Sequence, residues 1–401
     1  MKTVVITSAC RTAVGGYLGS LKNTEGQDLG AAVIKEAAKR SGITLDQLDE
    51  VIFGSVYGYT PNVARTSLLL AGAPESLPGY TVDRQCASSL QAVVNAAYQI
   101  MAGDADIVMA GGVEVMSRYL YFLDPSVRAN PLRMGNKPLY DMFMYGTANV
   151  QPPQLYPNLN MGITAENIAE RYKITREEQD KFAFDSMQKM IAAQDAGKFK
   201  DEIVPFEVKE RKSSFVFDTD EHVRRETTME SLAKLKPSFK PDGTVTAGNA
   251  SGMNDGASAV VVMSEDKAKE LGVKPLVKIV SSGVVGLDPA VMGLGPVGAT
   301  QKALAKANLK LEDVDLFEFN EAFSAQSLGV LKELGMDMGT ELYKRVNVNG
   351  GAVAHGHALG NSGTRLLTTL IYEMKRRGAK YGVDSLCIGG GQGLAMLVEN
   401  V

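Results

Sequence analysis

The chain alternates between short apolar runs and stretches with helical spacing. Val4–Thr7 is a short apolar run that predicts a strand, and a helix pattern follows over Leu29–Arg40. Apolar residues at positions 90, 93, 94, 97, 100 and 101 share one face of another predicted helix. Because strands that alternate with helices are typical of layered folds with a largely buried sheet, we predict an α/β protein.

The pattern of helix, short link and strand occurs twice along the chain. The first link and strand lie in Ile43–Gly54, and the second lie in Leu309–Asn320 with a matching pattern. Each half also ends in an apolar strand that runs into glycines, at Asp106–Gly112 and at Ser385–Gly391. The repeat period is far too long for a solenoid, so it indicates an internal duplication.

A middle segment interrupts this pattern. It contains Pro152-Pro153, several aromatic residues and methionines, and a charged stretch at Lys209–Arg225. Thr246–Met263 then returns to a Gly-rich turn and a buried type of strand, which we expect to rejoin the first half. The predicted domains are an N-terminal α/β half at 1–119 completed by 249–272, an inserted loop domain at 120–248, and a C-terminal α/β half at 273–401.

Composition and charge narrow the classes of function. The chain is 45% hydrophobic and 22% charged, as expected for a globular protein, and its formal net charge of −4 gives little support for nucleic-acid binding. No stretch approaches the roughly 18 apolar residues of a membrane span, and Arg11 interrupts the first apolar run too early for a signal peptide. Three cysteines are too few for a disulfide framework, so we expect a cytoplasmic protein.

Cys86 is the first candidate for chemistry. It lies in Asp83–Leu90, directly before the second predicted helix. A thiol at the start of a helix feels the positive end of the helix dipole, which lowers the pKa of the thiol and favours thiolate. Free N–H groups at the same place can bind an oxyanion. An isolated cysteine is more often a small buried hydrophobe, so on position alone both interpretations stay open.

Two of the three histidines, His355 and His357, lie in the Gly-rich segment Asn347–Gly363. Flanking glycines permit close backbone approach, which suits a side chain aimed into a site. The alternatives are exposed loop histidines or metal ligands, but no further Cys/His cluster would complete a metal site, and we expect none. His222, in the charged insertion, is interpreted as a solvated loop residue. The Gly-rich segment therefore carries the candidate imidazole base.

Three further residues do not indicate a particular function when each is considered alone. Cys387 ends an apolar strand just before three glycines, where ligands often approach the backbone of α/β proteins. Asn320 ends the repeated strand of the second half and could simply form a turn. Cys10 has no partner signal, and we interpret it as structural.

In combination, these segments resemble the thiolase family over essentially the whole chain. Several spaced motifs in the right order are far more specific than any one of them. The family fold has two similar α/β halves in a five-layer α-β-α-β-α arrangement, with a loop domain inserted in the first half. The motifs are CASSLQA at 86–92, GGVEVMS at 111–117, MGITAENIA at 161–169, TAGNASGMNDGA at 246–257, MGLGPV at 292–297, NEAF at 320–323, GGAVAHGHALGNSG at 350–363 and CIGGG at 387–391.

The resemblance implies a role for each matching residue. Cys86 would be the nucleophile that becomes acylated, and His357 the base that activates it. Cys387 would remove a proton from the α-carbon of the second thioester, or return it in thiolysis. Asn320 would hold a water that forms one oxyanion hole with His357, and the N–H groups of Cys86 and Gly389 would form the other. The implied coenzyme A and acyl contacts are Ser251 with the pantetheine, Arg224 and Phe239 near the nucleotide end, and Met161 and Phe323 along the pocket.

The implied reaction is a reversible Claisen condensation of two acetyl-CoA molecules to acetoacetyl-CoA and CoA. It would proceed by a ping-pong mechanism through an acyl-cysteine. Coenzyme A is then substrate and product, and no permanently bound cofactor is expected. The resemblance also implies a homotetramer, a dimer of dimers, with acyl-CoA and CoA as the only small-molecule partners.

The chain departs from the family pattern at four positions. His355 stands where the family usually has an apolar residue, and Ala358 stands where proline usually follows the catalytic histidine. Ser89 replaces a common glycine, and Asn160 stands where many acetoacetyl-forming members carry histidine. None of these changes removes a catalytic group, but they leave the preferred acyl length open.

Three alternatives compete with this interpretation. A longer-chain 3-ketoacyl-CoA thiolase of fatty-acid breakdown would carry the same catalytic residues. Condensing enzymes that use a carrier protein share the fold, but they use a single cysteine with two histidines or with histidine and asparagine, whereas this chain has a second cysteine in CIGGG. A non-catalytic scaffold that binds acyl-CoA would have little reason to keep Cys86, Asn320, His357 and Cys387 together.

Overall fold

Helices and strands alternate along most of the protein in the computed structural model, which describes residues 2–130 and 132–401. The helices are α1 (Gly26–Ser41), α2 (Val63–Leu70), α3 (Ser88–Ala102), α4 (Met142–Asn149), α5 (Met161–Tyr172), α6 (Arg176–Asp195), α7 (Met229–Ala233), α8 (Glu265–Leu271), α9 (Gly295–Lys306), α10 (Ser324–Glu333), α11 (Ala352–His355) and α12 (Ser362–Arg377). The strands are β1 (Val4–Thr12), β2 (Gly15–Gly16), β3 (Glu50–Gly54), β4 (Gly79–Val82), β5 (Ile107–Val115), β6 (Tyr121–Phe122), β7 (Tyr140–Asp141), β8 (Ile203–Val204), β9 (Phe206–Lys209), β10 (Ser214–Phe217), β11 (Asn254–Ser264), β12 (Val277–Gly286), β13 (Leu316–Phe319), β14 (Tyr381–Ile388) and β15 (Gln392–Asn400).

The two halves of the chain build their sheets in the same order. The first half runs β1-β11-β5-β3-β4, and the second runs β12-β15-β14-β13. In each half the first two pairings are antiparallel and the next is parallel. The halves join where β1 pairs with β12 over two residues, Val5 and Ile6. This shared order confirms the predicted duplication.

Helices α3 and α12 occupy equivalent places in the two halves and form the central layer. One apolar cluster joins Leu90 of α3 and Leu366 of α12 to strands of both sheets. Both helices end at a glycine with positive φ, Gly103 and Gly378, which closes the last turn without the strain that a Cβ would cause. Helices α1 and α2 cover the outer face of the first sheet, and α9 and α10 cover that of the second. The result is the predicted five-layer α-β-α-β-α arrangement.

The middle segment is more regular than its composition indicates. Helices α5 and α6 lie within it, together with two small antiparallel strand pairs, β6–β7 and β9–β10. Helix α6 buries Gln179, Asp180 and Ser186 beside Phe182, so no purely apolar face marks it in the sequence. The bounds of the three domains stay a prediction. Within the described ranges, no helix is both long and apolar enough to cross a membrane.

Two buried acidic residues lie opposite each other on the neighbouring strands β13 and β14. Glu318 and Asp384 are partners in the parallel register, and both are almost completely inaccessible to solvent. Among the described residues, Glu318 Oε2 and both carboxylate oxygens of Asp384 have no hydrogen-bond partner. Burial raises the pKa of Glu318 to about 8, although the nearby Arg365 opposes the shift, and burial also raises the pKa of Asp384 well above its usual value. Both acids therefore hold their protons in the folded state at mildly acidic pH.

We expect the free energy of unfolding of the wild type to fall, relative to that of Glu318→Gln, as the pH rises from about 5 to 8. Over this window the folded state keeps a proton on Glu318, whereas the unfolded chain, with an ordinary glutamate pKa of about 4.3, has released it. One such proton lowers the free energy of unfolding by about 1.4 kcal/mol for each pH unit across this window. Urea unfolding of both proteins at several pH values measures this difference. Parallel pH profiles would contradict the assignment.

Candidate active site

The candidate site forms where β13 and β14 end side by side. Asn320 follows β13, and its backbone N–H donates to Ser385 O at 2.9 Å. Cys387 lies near the end of β14, and Gly389 follows that strand. Cys86, from the first half of the chain, reaches this edge because the turn that carries it packs against β14, where the backbone N–H of Gly389 helps to lower the pKa of the thiol. The duplicated halves thus meet at the predicted residues. The glycines after Cys387 do not end the sheet, however, since β15 follows them.

Cys86 lies on a strained turn directly before α3. Residues Gln85–Ala87 form a single 3₁₀ turn, and Gln85 has a φ of 47°, in the left-handed region that few non-glycine residues adopt. Ser88 Oγ holds the turn by donating to Gln85 O at 2.6 Å and accepting the N–H of Arg84 at 2.9 Å. The predicted position of Cys86 at a helix start is confirmed.

The predicted direction of the pKa shift of Cys86 is wrong. Burial of the thiol raises its pKa to about 11, and the charges of Asp83 and Glu114 act in the same direction. Hydrogen bonds from the N–H groups of Gly389 and of Cys86 itself lower the pKa, but they do not outweigh burial. The cost of burying an anion exceeds the benefit of the helix start, so the resting thiol is protonated and needs a base.

His357 is oriented by hydrogen bonds on its ring and on its backbone. Nδ1 lies 2.6 Å from Ser362 Oγ, and that hydroxyl donates to Ala358 O at 2.9 Å. Because the hydroxyl proton is used there, we assign the ring proton to Nδ1, which leaves the lone pair on Nε2. The backbone N–H of His357 donates to Asn254 Oδ1 at 3.0 Å. Burial lowers the pKa of His357 to about 3, and Arg365 adds to this shift, so the imidazole is neutral at physiological pH.

Gly356 explains how His357 reaches this place. Its φ is 100°, and a Cβ there would lie 2.4 Å from side-chain atoms of Asn254. Only glycine therefore allows the backbone to approach Asn254 and turn His357 inward. The prediction that glycines permit this close approach is confirmed at this position.

Asn320 and His357 face each other. Asn320 Nδ2 lies 3.5 Å from His357 Nε2, at the limit of a direct hydrogen bond. Asn320 is fully buried, and its Oδ1 has no partner within the described part of the chain. An amide donor and an imidazole nitrogen thus converge with hydrogen-bonding capacity to spare.

Cys387 lies in a buried apolar cluster. It packs in one cluster with Phe323 and, at the edge, Met161. Phe323 makes an edge-to-face contact with Phe239, with ring centroids 6.1 Å apart. Burial raises the pKa of Cys387 far above its usual value, and the nearby Cys86 raises it further. The two cysteines are therefore electrostatic neighbours.

Two of the residues predicted to contact coenzyme A, Ser251 and Phe239, lie beside Phe323 of this cluster. The N–H of Ser251 donates to Ala322 O at 3.0 Å, which places the Ser251 loop beside Phe323. Arg224 is exposed, and its guanidinium donates to Ala247 O in the same loop at 3.4 Å. Phe239 covers Gly162 at the start of α5, where a Cβ would lie 2.1 Å from its ring.

Two histidines lie in surroundings that differ from those expected. His222 is only partly exposed, because its ring packs on Gly252, where a Cβ would come within 2.2 Å, and burial lowers its pKa to about 4. His355 stands where an apolar residue is usual, but its surroundings are polar as well as apolar. Its Nε2 lies 3.1 Å from Asp220 Oδ2 and its Nδ1 lies 3.3 Å from Arg365 Nη1, in a fully buried contact. A polar network thus connects the His357 loop with the middle segment.

The sequence patterns do not single out Glu114 or Ser362, although these residues lie within the motifs GGVEVMS and GGAVAHGHALGNSG. Glu114 is buried and accepts the N–H groups of Val56 at 2.8 Å and Gly360 at 2.9 Å. It therefore ties the first half to the loop of His357, and burial raises its pKa to about 7. Their motifs were the only available signal, because the hydrogen bonds depend on contacts distant in sequence. In the described ranges, no three His, Cys, Asp or Glu side chains are grouped as metal ligands.

Two family models match the chain, "Thiolase, N-terminal domain" over residues 4–266 and "Thiolase, C-terminal domain" over residues 273–400. The chain is 50% identical over 400 residues to an acetyl-CoA acetyltransferase of Syntrophomonas wolfei, and the alignment covers 99% of each chain.

Solved structures are similar along the whole length. The crystal structure of the Bacillus anthracis acetyl-CoA acetyltransferase has a TM-score of 0.94 and 46% identity, covering 100% of this chain and 99% of that one. The crystal structure of human mitochondrial 3-ketoacyl-CoA thiolase in complex with CoA has a TM-score of 0.92 and 42% identity, covering 100% and 98%.

Proposed function

This chain belongs to the thiolase family, and from that premise we propose that it condenses two acetyl-CoA molecules to acetoacetyl-CoA and CoA and catalyses thiolysis in reverse. The observation that carries the proposal is a pair of neighbouring thiols, Cys387 near the end of the strand beside Asn320 and Cys86 on the turn that packs against that strand. A Claisen condensation needs one sulfur nucleophile and one base for a carbon acid, and both steps need an oxyanion site.

The first half-reaction is transfer of the acetyl group to Cys86. Because the thiol is protonated and the imidazole neutral beforehand, His357 Nε2 takes the proton as the sulfur attacks the thioester carbonyl. The N–H groups of Cys86 and Gly389, both of which lower the pKa of this thiol, stabilise the oxyanion. The bond from the carbonyl to the CoA sulfur then breaks, and Cys387 gives its proton to the leaving thiolate.

The second half-reaction forms the carbon–carbon bond. Cys387, now a thiolate, removes a proton from the methyl group of the second acetyl-CoA. The enolate oxygen is stabilised by His357, whose Nε2 now carries a proton, and by a water held on Asn320 Nδ2. The carbanion attacks acetyl-Cys86, acetoacetyl-CoA forms, and His357 returns its proton to the released Cys86. Cys387 keeps the proton of the carbon acid, so every group returns to its starting state.

Coenzyme A would approach along the predicted contact residues. The pantetheine would lie against Ser251, the nucleotide end near the exposed Arg224 and Phe239, and the acyl group between Met161 and Phe323. In this proposal coenzyme A is substrate and product, and the enzyme has no permanently bound cofactor. A comparison structure that contains CoA supports coenzyme A as the ligand.

We also propose a homotetramer, a dimer of dimers, located in the cytoplasm. The middle segment exposes Tyr121, Leu139 and Met144 by about two thirds each, next to the packed rings of Phe122 and Tyr145. Assembly would remove such apolar surface from water. The free state of all three cysteines is compatible with a reducing compartment.

The test of the function is kcat/KM for thiolysis of β-ketoacyl-CoA substrates of increasing acyl length. We expect acetoacetyl-CoA to be cleaved with the highest kcat/KM. A maximum at long acyl chains would instead identify a 3-ketoacyl-CoA thiolase of fatty-acid breakdown. Binding of acyl-CoA without thiolysis of any substrate would identify a non-catalytic scaffold.

A further inference from the structure

Glu321 is a buried carboxylate directly after Asn320 and has no part in the mechanism above. Its side chain is almost completely inaccessible to solvent. It accepts hydrogen bonds from Ser186 Oγ at 2.7 Å, from Asn347 Nδ2 at 2.7 Å and from the N–H of Val353 at 3.2 Å. Charged acceptors make the stronger hydrogen bonds in proteins, so these contacts restrain the carboxylate and the residues around it.

The three donors connect Glu321 with two catalytic loops, the loop that carries His357 and the segment after β13 that carries Asn320. Val353 lies in α11, and this helix ends two residues before His357. Ser186 Oγ also accepts the N–H of Gly351 at 2.9 Å, so the same carboxylate holds the beginning of that helix through a second contact.

Asn347 fixes the other side, the end of β13. It accepts the N–H of Phe319 at 2.8 Å and donates to the carbonyl of Phe319 at 2.9 Å. These two bonds fix the orientation of its amide, so that only its Nδ2 can face Glu321. The strand that ends in Asn320 is thereby tied to the same carboxylate as the helix before His357.

The loop of His357 is in close contact with the side chain of Glu321. A Cβ on Gly351 would lie 2.2 Å from Glu321 Cδ, so the loop of His357 rests directly on this carboxyl group. Lys189 supplies a nearby positive charge. Burial raises the pKa of Glu321, whereas its bonds to Asn347 and Ser186 and the charge of Lys189 favour the ionised form.

We propose that Glu321 is a positioning residue that sets the distance between Asn320 Nδ2 and His357 Nε2. The inference rests on the proposed function, because these two atoms form the site for the enolate oxygen. The ring and backbone of His357 have separate anchors in Ser362 and Asn254. The backbone of Asn320 is held by Ser385, but within the described residues its side-chain amide hydrogen-bonds only with His357. Loss of the Glu321 contacts therefore displaces that amide. Carbon–carbon bond formation, which uses both Asn320 and His357, then suffers more than acyl transfer to Cys86, which uses His357 but not Asn320.

Glu321→Gln tests the proposal, because an amide NH₂ would face at least one donor in place of an acceptor. We expect kcat for condensation to fall by about tenfold or more, since displacements of about 1 Å can cost on the order of a hundredfold. Exchange of acetyl groups between acetyl-CoA and labelled CoA should fall by less than about threefold, with little change in KM. An equal fall in both reactions, or no fall in condensation, would overturn the proposal.

Glu166→Gln is the matched control. Glu166 is also a buried carboxylate, but it accepts the N–H groups of Thr244 and Val245 and bonds to neither catalytic loop. Hydrogen–deuterium exchange provides a readout that does not need activity. Glu321→Gln should speed exchange in peptides that cover 319–323 and 351–357, whereas Glu166→Gln should speed it near 244–246. Unchanged protection of both catalytic loops in Glu321→Gln would refute the contact's role. A wild type inactive in both assays would refute the proposed function instead.

Discussion

Replacing Cys387 with serine should reduce carbon–carbon bond formation by on the order of a hundredfold or more, the usual cost of losing a general acid or base. Acetyl exchange between acetyl-CoA and labelled CoA should fall by less than about tenfold, because Cys86 and His357 remain and water can protonate the leaving CoA. Serine has nearly the same shape as cysteine, but its hydroxyl is a far weaker acid than a thiol. The ratio of the condensation rate to the exchange rate, measured on one preparation, reports the separate role of Cys387.

Cys10→Ser is the matched control for this variant. Cys10 is also fully buried, and burial raises its pKa to about 12, but it lies in β1 and is hydrogen-bonded to Val33 O, outside the site. Its replacement should leave the ratio of the two rates unchanged. If Cys387→Ser reduced condensation and exchange by the same factor, Cys387 would not have a separate role in the second half-reaction.

His357→Ala should lower thiolysis by on the order of a hundredfold or more, as expected for losing a general base. The loss should appear in both half-reactions, because His357 accepts the proton of Cys86 and later faces the enolate oxygen. Burial holds the thiol of Cys86 protonated with a pKa of about 11, so no thiolate is available without the base. Steady-state thiolysis and acetyl exchange at neutral pH measure the effect.

His355→Leu provides the contrast within the same loop. It removes the buried contacts of His355 with Asp220 and Arg365, so we expect a lower melting temperature. Activity per folded molecule should stay within roughly tenfold of the wild type, because His355 bonds to Asp220 and Arg365, whereas His357 faces Asn320. Greater damage to catalysis in His355→Leu than in His357→Ala would reverse the assignment of the base.

The duplicated layers could be predicted from the sequence because they depend on local patterns. The link that leads into β3 recurs before β13, as single 3₁₀ turns at Leu45–Gln47 and Leu311–Asp313. Helix α3 shows its apolar spacing without ambiguity. Helix α6 could not be recognised in the same way, because each of its buried polar residues Gln179, Asp180 and Ser186 has a hydrogen-bond partner far away in sequence. Asp180, for example, accepts a hydrogen bond from Asn249.

The candidate site could be predicted as a set of residues but not as an electrostatic environment. The motifs indicate Cys86, Asn320, His357 and Cys387, and the structure brings Cys86 next to Cys387 and Asn320 next to His357. The pKa of Cys86 could not be derived from the helix start alone, because burial depends on how the two halves meet. The buried partner of His355, Asp220, lies in the middle segment, and nothing in the local sequence of either residue indicates that contact.

Cys86 carries the acyl group in the proposed mechanism, and mass spectrometry of the acetylated protein tests this assignment. The protein is incubated briefly with acetyl-CoA, quenched in acid and digested, and the modified peptide is identified by mass spectrometry. The mechanism predicts an acetyl group on the peptide that contains Cys86, and its loss when CoA is added before the quench. An acetyl group found only on Cys387 or Cys10 would contradict the mechanism.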